Sequence, residues 1–131
     1  MNAFNPYENG HANSLAFLEA VQKRGDPLIV PALILPEIAA AVARATGDST
    51  GAWEFAQAAA GLSNVTLVSI TPAVARLAAQ LASDYRLRGA DAVYVAVARR
   101  YATTLVSRDS EQRTRGEAVV PCQTPEEALA T

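Results

Sequence analysis

The chain alternates short runs of β-branched and aliphatic residues with longer alanine-rich stretches in which apolar positions recur at helical spacing. That is the pattern of an α/β fold. His11 to Arg24 predicts a helix, with Leu15, Leu18 and Val21 at helical spacing, and Gly25-Asp26-Pro27 breaks it. Leu28-Ile29-Val30 predicts a short buried strand. The next helix starts between Ala32 and Pro36, because proline is tolerated only near a first turn. It runs to about Ala45 and ends at Thr46-Gly47-Asp48. Gly51 to Gly61 predicts another helix, carrying Trp53 and Phe55.

Val65 to Ile70 predicts a strand, followed at once by Thr71-Pro72, an N-cap with proline at the first helical position. That helix continues to about Tyr85. Gly89-Ala90-Asp91 opens a segment that reaches Tyr101, and its centre, Ala92 to Ala98, suits a strand as well as a helix. Thr103 to Ser107 predicts a strand, Asp109 to Arg115 a turn or short helix, and Val119-Val120 a last short strand. Thr124-Pro125-Glu126-Glu127 has the capping-box pattern of a terminal helix. With no repeat, low-complexity tract or linker, the 131 residues read as one domain over 1–131 with a core of its own.

Composition narrows the chemistry. Half of the residues are hydrophobic and 18% are charged, which excludes a disordered chain. No apolar stretch reaches the roughly 20 residues that cross a bilayer; the nearest, Leu28 to Ala43, is interrupted by Pro31, Pro36 and Glu37. The start, Met-Asn-Ala-Phe-Asn-Pro, lacks the basic and apolar regions of a signal peptide, so a cytoplasmic protein without membrane association is expected. Cys122 is the only cysteine and His11 the only histidine. An intrachain disulfide, a cysteine zinc cluster and a histidine-rich metal site are thereby excluded. Any metal here is held mainly by oxygen ligands.

The net charge of −2 argues against a surface that grips nucleic acid all over. Arg86, Arg88, Arg99, Arg100, Arg108, Arg113 and Arg115 nevertheless cluster in one part of the chain, while Lys23 is the only lysine. Two readings stay open: a phosphate-binding face, or a solvated face with internal ion pairs. A nucleotide-binding domain finds no support, because no glycine-rich loop follows any strand.

The acids point to a site. In a parallel α/β sheet, ligands bind beyond the carboxyl ends of the strands, where the following helices begin. Glu37 lies in the first turns of the helix after Leu28–Val30, Asp91 opens a helix, and Asp109 comes two residues after the strand ending at Ser107. If Ala92–Ala98 is helical, about eleven helical residues cover ~16 Å and about five strand residues return the same distance. All three acids then meet at one edge. Clustered carboxylates repel one another, and the natural compensation is a hard divalent cation, Mg²⁺ or Mn²⁺. The plainer alternative is that acids at helix starts only answer the helix dipole.

Several segments carry a family resemblance. Pro31-Ala32-Leu33 with Pro36-Glu37-Ile38, Leu87-Arg88-Gly89-Ala90-Asp91-Ala92, Thr104-Leu105-Val106-Ser107-Arg108-Asp109 and Thr124-Pro125-Glu126-Glu127-Ala128-Leu129 resemble, in order, conserved blocks of PIN-domain proteins. The Gly89–Ala92 block is the most specific. The subgroup it resembles is the VapC-like toxins of type II toxin–antitoxin pairs. The resemblance implies a three-layer α/β/α fold with a mainly parallel central sheet and a Mg²⁺-dependent endoribonuclease acting on RNA. It also implies a homodimer and silencing by a cognate antitoxin. Carried over, Glu37, Asp91 and Asp109 are the catalytic, metal-binding acids; Ser107 matches a hydroxyl that supports them, and Glu111 is a candidate outer acid.

The family opens with a hydrophobic central strand ending in aspartate, and here neither the strand nor its aspartate is expected. Met1 to Phe4 is too short and Asn5-Pro6 breaks it. The N-terminal central strand therefore reads as missing, with Asn2 and Glu8 the polar residues left to reach the pocket. Three explanations stay open: a natural chain that extends upstream, a decayed toxin, or a sheet closed around the gap with a non-catalytic binding role. The last keeps an alternative function alive, an inactive truncated module that binds an antitoxin or itself. Trp53, Phe55, Tyr94 and Tyr101 are expected as core or dimer-interface aromatics, Cys122 as a buried small hydrophobe, and His11 as a surface residue.

Overall fold

In the computed structural model, which describes the backbone of residues 2–5 and 11–130 and the side chains of residues 16–130, five parallel strands form one sheet. The strands are β1 (Asn2–Asn5), β2 (Leu28–Pro31), β3 (Val65–Val68), β4 (Thr104–Ser107) and β5 (Cys122–Gln123). The helices are α1 (His11–Arg24), α2 (Ile34–Thr46), α3 (Ser49–Ala60), α4 (Pro72–Tyr85), α5 (Gly89–Arg100), α6 (Ser110–Gly116) and α7 (Pro125–Leu129). The sheet order is β3-β2-β1-β4-β5.

Strand alternation divides the core into two. Ile29 and Leu105 point to one face, where they pack with α4 and α5. Leu28, Val30 and Val106 point to the other, against α1, α2, α3 and α7. This is the expected three-layer architecture, both faces of a parallel sheet covered by helices.

The missing central strand is a correction. Residues Asn2–Asn5 form β1, which pairs parallel with β2 on one side and with β4 on the other, from Asn2 opposite Thr104 to Asn5 opposite Ser107. Its neighbours are themselves only four residues long, so four residues suffice to fill the ladder, and the strand ends before Pro6. A strand is held here by backbone pairing with both neighbours, which does not require a continuous apolar run.

Ala92–Ala98 is helical, inside α5. Its missing periodicity has a simple cause: Ala92, Tyr94, Val95, Ala96, Val97 and Ala98 are all buried, and a helix covered nearly all round shows no polar stripe. The segment Val119-Val120 is not a strand. Both amides donate to the Gly116 carbonyl in a turn that closes α6, and β5 follows Pro121 instead. Gly47 ends α2 in a left-handed conformation, φ +72°, its amide bonded to Ala43. The Thr124 capping box forms as expected. Among the described residues no helix is long and apolar enough to cross a membrane.

Candidate functional site

The chain runs β1 to β2 to β3 toward one side of the sheet, then returns through α4 and α5 to β4 on the other side of β1. The order reverses between β1 and β4, and a crevice at the carboxyl ends of strands is expected at such a reversal. Three of the predicted residues stand at that edge.

Glu37 lies in the first turn of α2 and is half-buried. Its Oε1 accepts a 2.6 Å hydrogen bond from Tyr94 Oη. The bond ties α5 to α2, helices that pack on opposite faces of the sheet. Burial pushes the Glu37 carboxyl above its ordinary range and the charge of Asp91 adds to this, while the Tyr94 hydrogen bond opposes it. Burial, with the charges of Glu37 and Asp91, pushes the Tyr94 phenol far above its ordinary value. Tyr94 is therefore a fixed donor at any ordinary pH.

Asp91 is buried in the first turn of α5, where the helix dipole favours its charge. Asp109 is buried at the N-cap of α6, its Oδ1 accepting from the amides of Glu111 (2.8 Å) and Gln112 (3.3 Å). The two acids face a common cation. Arg88 Nε stands 3.9 Å from Asp91 Oδ2, and Arg88 Nη2 stands 3.8 Å from Asp109 Oδ2 and 3.7 Å from Glu111 Oε2. Arg115 holds the other oxygen of Glu111 at 2.7 Å.

A buried polar chain supports this edge from beneath. Ser107 Oγ accepts from the Asp109 amide (3.0 Å) and donates to Gln112 Oε1 (2.6 Å). Gln112 Nε2 donates to the Asp91 carbonyl (3.2 Å), and Arg113 Nη1 donates to the Ser107 carbonyl (2.7 Å). Sequence reasoning found Ser107 but missed Gln112 and the hydroxyl of Tyr94. Gln112 stands in the polar run Ser110-Glu111-Gln112-Arg113 and carries no local signal of burial; Tyr94 reads only as a core aromatic.

The predicted acids thus converge, though not as an ion cage. The Asp91 charge acts on Glu37, and Asp91 and Asp109 share Arg88. Yet among the described residues no three acidic, histidine or cysteine side chains form a group able to hold a metal ion. The positive charge these acids face is instead the Arg88 guanidinium. As donors, three carboxylates suit a hard divalent ion in kind.

At the end of β1, the residue level with Ser107 is Asn5, an amide where the resemblance expects aspartate. Asn2 begins the same strand, so its backbone lies at the opposite edge of the sheet from the acids. Glu8 lies outside the described residues.

The arginine cluster divides. Arg108 pairs with Glu126 at 2.8 Å, Arg113 holds Ser107, and Arg115 binds Glu111 and the Arg86 carbonyl, so internal pairing accounts for these. Arg99 and Arg100 are exposed in the last turn of α5, at the far edge. Of the aromatics, Tyr94 is in the core, Phe55 is partly buried, and Trp53 and Tyr101 are exposed, which removes those two from the core. Cys122 is half-buried against the core, and burial pushes its thiol up to about 11.

A family model described as "PIN domain" matches residues 2–117. No curated protein matches the chain in sequence. The fold is similar to that of PAE2754 from Pyrobaculum aerophilum, with TM-score 0.75, 18% identity, and 98% of this chain and 86% of that one covered. It is also similar to a chain of VapBC2 from Rickettsia felis, solved bound to a DNA fragment from their promoter. There the TM-score is 0.59 at 13% identity, and the alignment covers 94% of this chain and 97% of that one.

Proposed function

This chain belongs to the PIN-domain family, and from that premise we propose that it is a Mg²⁺- or Mn²⁺-dependent endoribonuclease, the toxin member of a toxin–antitoxin pair. The observation that carries the reading is the meeting of acids distant in sequence at one edge. Asp91 and Asp109 lie within 4 Å of the same guanidinium, with Glu37 in the field of Asp91. In this reading Glu37, Asp91 and Asp109 hold the ion, which when bound supplies Lewis-acid polarisation of a phosphoryl oxygen and a bound water of lowered pKa.

The chain's own residues do the rest. Tyr94 fixes one oxygen of Glu37 by its hydrogen bond. The α6 amides hold one oxygen of Asp109, and Asp91 sits in the first turn of α5, where the helix dipole points toward it. Arg88, exposed and already at the rim, is suited to meet a phosphate once it leaves the acids. The TM-score of 0.59 to a VapBC2 chain of Rickettsia felis supports the fold of such a toxin.

Cleavage of a structured and a single-stranded RNA, with and without Mg²⁺, compared between wild type and Asp91→Asn, tests the proposal. Metal-dependent cutting that the substitution abolishes supports it; equal cutting by both proteins rejects it.

Two observations favour a second reading, an inactive module that binds an antitoxin: Asn5 ends the strand where an acid is expected, and Arg88 stands within 4 Å of Asp91, Asp109 and Glu111. An apolar groove of about 190 Å³ between α1 and α3, lined by Leu18, Phe55, Ala59 and Leu62, offers a surface for such a partner. Stable co-purification with the product of an adjacent small gene, with no cleavage at any Mg²⁺ or Mn²⁺ concentration, supports this reading; metal-dependent turnover excludes it.

A further inference from the structure

Gln112 is 1% exposed, and burying an amide is costly unless both of its ends are bonded. Both ends are bonded here, to partners that belong to the acidic rim. Its Oε1 accepts from Ser107 Oγ (2.6 Å), its Nε2 donates to the Asp91 carbonyl (3.2 Å), and its backbone amide donates to Asp109 Oδ1 (3.3 Å). The orientation of the amide is determined by these partners. A carbonyl oxygen on Asp91 requires a donor, so the NH₂ group must face it, and the Ser107 hydroxyl, already accepting from the Asp109 amide, turns its proton to Gln112 Oε1.

The consequence is geometric. Asp91 opens α5 and Asp109 caps α6, and these helices approach the edge from different parts of the sheet. Arg88 is exposed and stands 3.8–3.9 Å from each, too loose to define their separation. The buried amide side chain has both ends bonded and reaches from α6 to the first turn of α5. We propose that Gln112 is the positioning residue that holds Asp91 and Asp109 at a common level, so that the two carboxylates act on one ligand. It touches neither ion nor RNA; it acts through the acids, and it rests on the reading of those two as the working residues.

The test uses the full chain with Gln112→Met, close to glutamine in length and volume, and Ser107→Ala, which removes the other half of the same chain of bonds. Three readouts are taken. In metal-free buffer, hydrogen exchange at the Asp109 and Glu111 amides is expected to quicken about tenfold or more in both variants, while amides of β2 stay protected. The Mn²⁺ dissociation constant measured by calorimetry is expected to weaken about tenfold, the size of change usual for groups that orient ligands. In RNA cleavage, kcat is expected to fall with KM unchanged. Should Gln112→Met fail to fold, Gln112→Glu keeps the length while placing an acceptor against the Asp91 carbonyl, and the same three changes are expected.

Wild-type exchange at Asp109 and Glu111 in the folded variants would overturn the proposal. So would loosening spread evenly through β4 and α6 with Mn²⁺ affinity intact, the mark of an ordinary core residue. If the wild-type chain binds no Mn²⁺ and cuts no RNA, the nuclease reading falls by itself. The exchange measurement then still decides whether Gln112 sets the position of the two acids.

Discussion

Tyr94 Oη donates a 2.6 Å hydrogen bond to Glu37 Oε1, joining a fully buried phenol on α5 to the first turn of α2 across the carboxyl edge of the sheet. Neither residue would hold this position alone. Tyr94 needs a partner for a hydroxyl inside the core, and Glu37 needs a donor to offset its burial next to Asp91.

Replacing Tyr94 by phenylalanine removes that hydroxyl and nothing else. Hydrogen bonds to charged groups contribute about 1.5–3 kcal/mol, so Tyr94→Phe is expected to lower unfolding stability at neutral pH by about 2 kcal/mol. Urea denaturation measures this, and a change below about 0.5 kcal/mol would show that the bond contributes little to stability.

The Glu37 carboxyl has its folded-state pKa raised above its ordinary value of 4.5. The folded chain therefore keeps this proton to higher pH than the unfolded chain does, and stability falls as pH rises through the interval between the two pKa values. Above the raised folded-state value the penalty is fully present; well below the ordinary value both states are protonated and it vanishes. Glu37→Gln, neutral at all pH and still an acceptor for Tyr94, is expected to be more stable than wild type at pH 7 in metal-free buffer. Its stability is expected to converge with that of wild type below the ordinary carboxylate pKa. A less stable Glu37→Gln at pH 7 would mean that the Tyr94 bond to the charged carboxylate outweighs its burial.

On the proposed reading, Arg88 and a divalent cation would compete for the same acids. Removing the guanidinium in Arg88→Gln is expected to tighten Mn²⁺ binding by roughly three- to tenfold, since each partly exposed pair contributes only up to about 1 kcal/mol. The metal-free variant is expected to be less stable, because Asp91, Asp109 and Glu111 then repel one another without this counter-ion. Calorimetric titration of both proteins with MnCl₂ checks this, and weaker binding by the variant would mean that Arg88 helps the ion rather than replacing it.

Asp109 serves both as a cap and as an acid, and two substitutions separate these. Asp109→Ala removes the acceptor of the Glu111 and Gln112 amides and is expected to cost about 1–2 kcal/mol. Asp109→Asn keeps an acceptor oxygen and is expected to remain within about 1 kcal/mol of wild type while losing RNA cleavage. Thermal unfolding beside a cleavage assay distinguishes them; retained cleavage in Asp109→Asn would remove this residue from the chemistry.

How much of the molecule is legible in its sequence can be judged at particular residues. Thr71-Pro72 and the Thr124 box predict their helix starts correctly because caps are local, satisfied within a single turn. Glu37, Asp91 and Asp109 can be placed at the carboxyl edge because, in a parallel sheet, helix starts and strand ends lie there. The resemblance over Leu87–Ala92 agrees with a family match that spans residues 2–117. β1 escapes notice because Asn2-Ala3-Phe4-Asn5 has no apolar run, and a strand between two others is stabilised by its neighbours' backbones rather than by its own composition.

Local sequence determined most of the helices and strands and the exclusion of cysteine and histidine chemistry, and it singled out the candidate acids, since each depends on residues a few positions apart. The central place of Asn2–Asn5, the burial of Gln112, the Tyr94–Glu37 bond and the presence of Arg88 among the carboxylates were decided only by the tertiary structure. Each joins partners from 21 to more than 100 positions apart, or sets a charge against several others at once. Interactions of that range leave no trace in the spacing of neighbouring residues, because what selects them is the packing of whole layers.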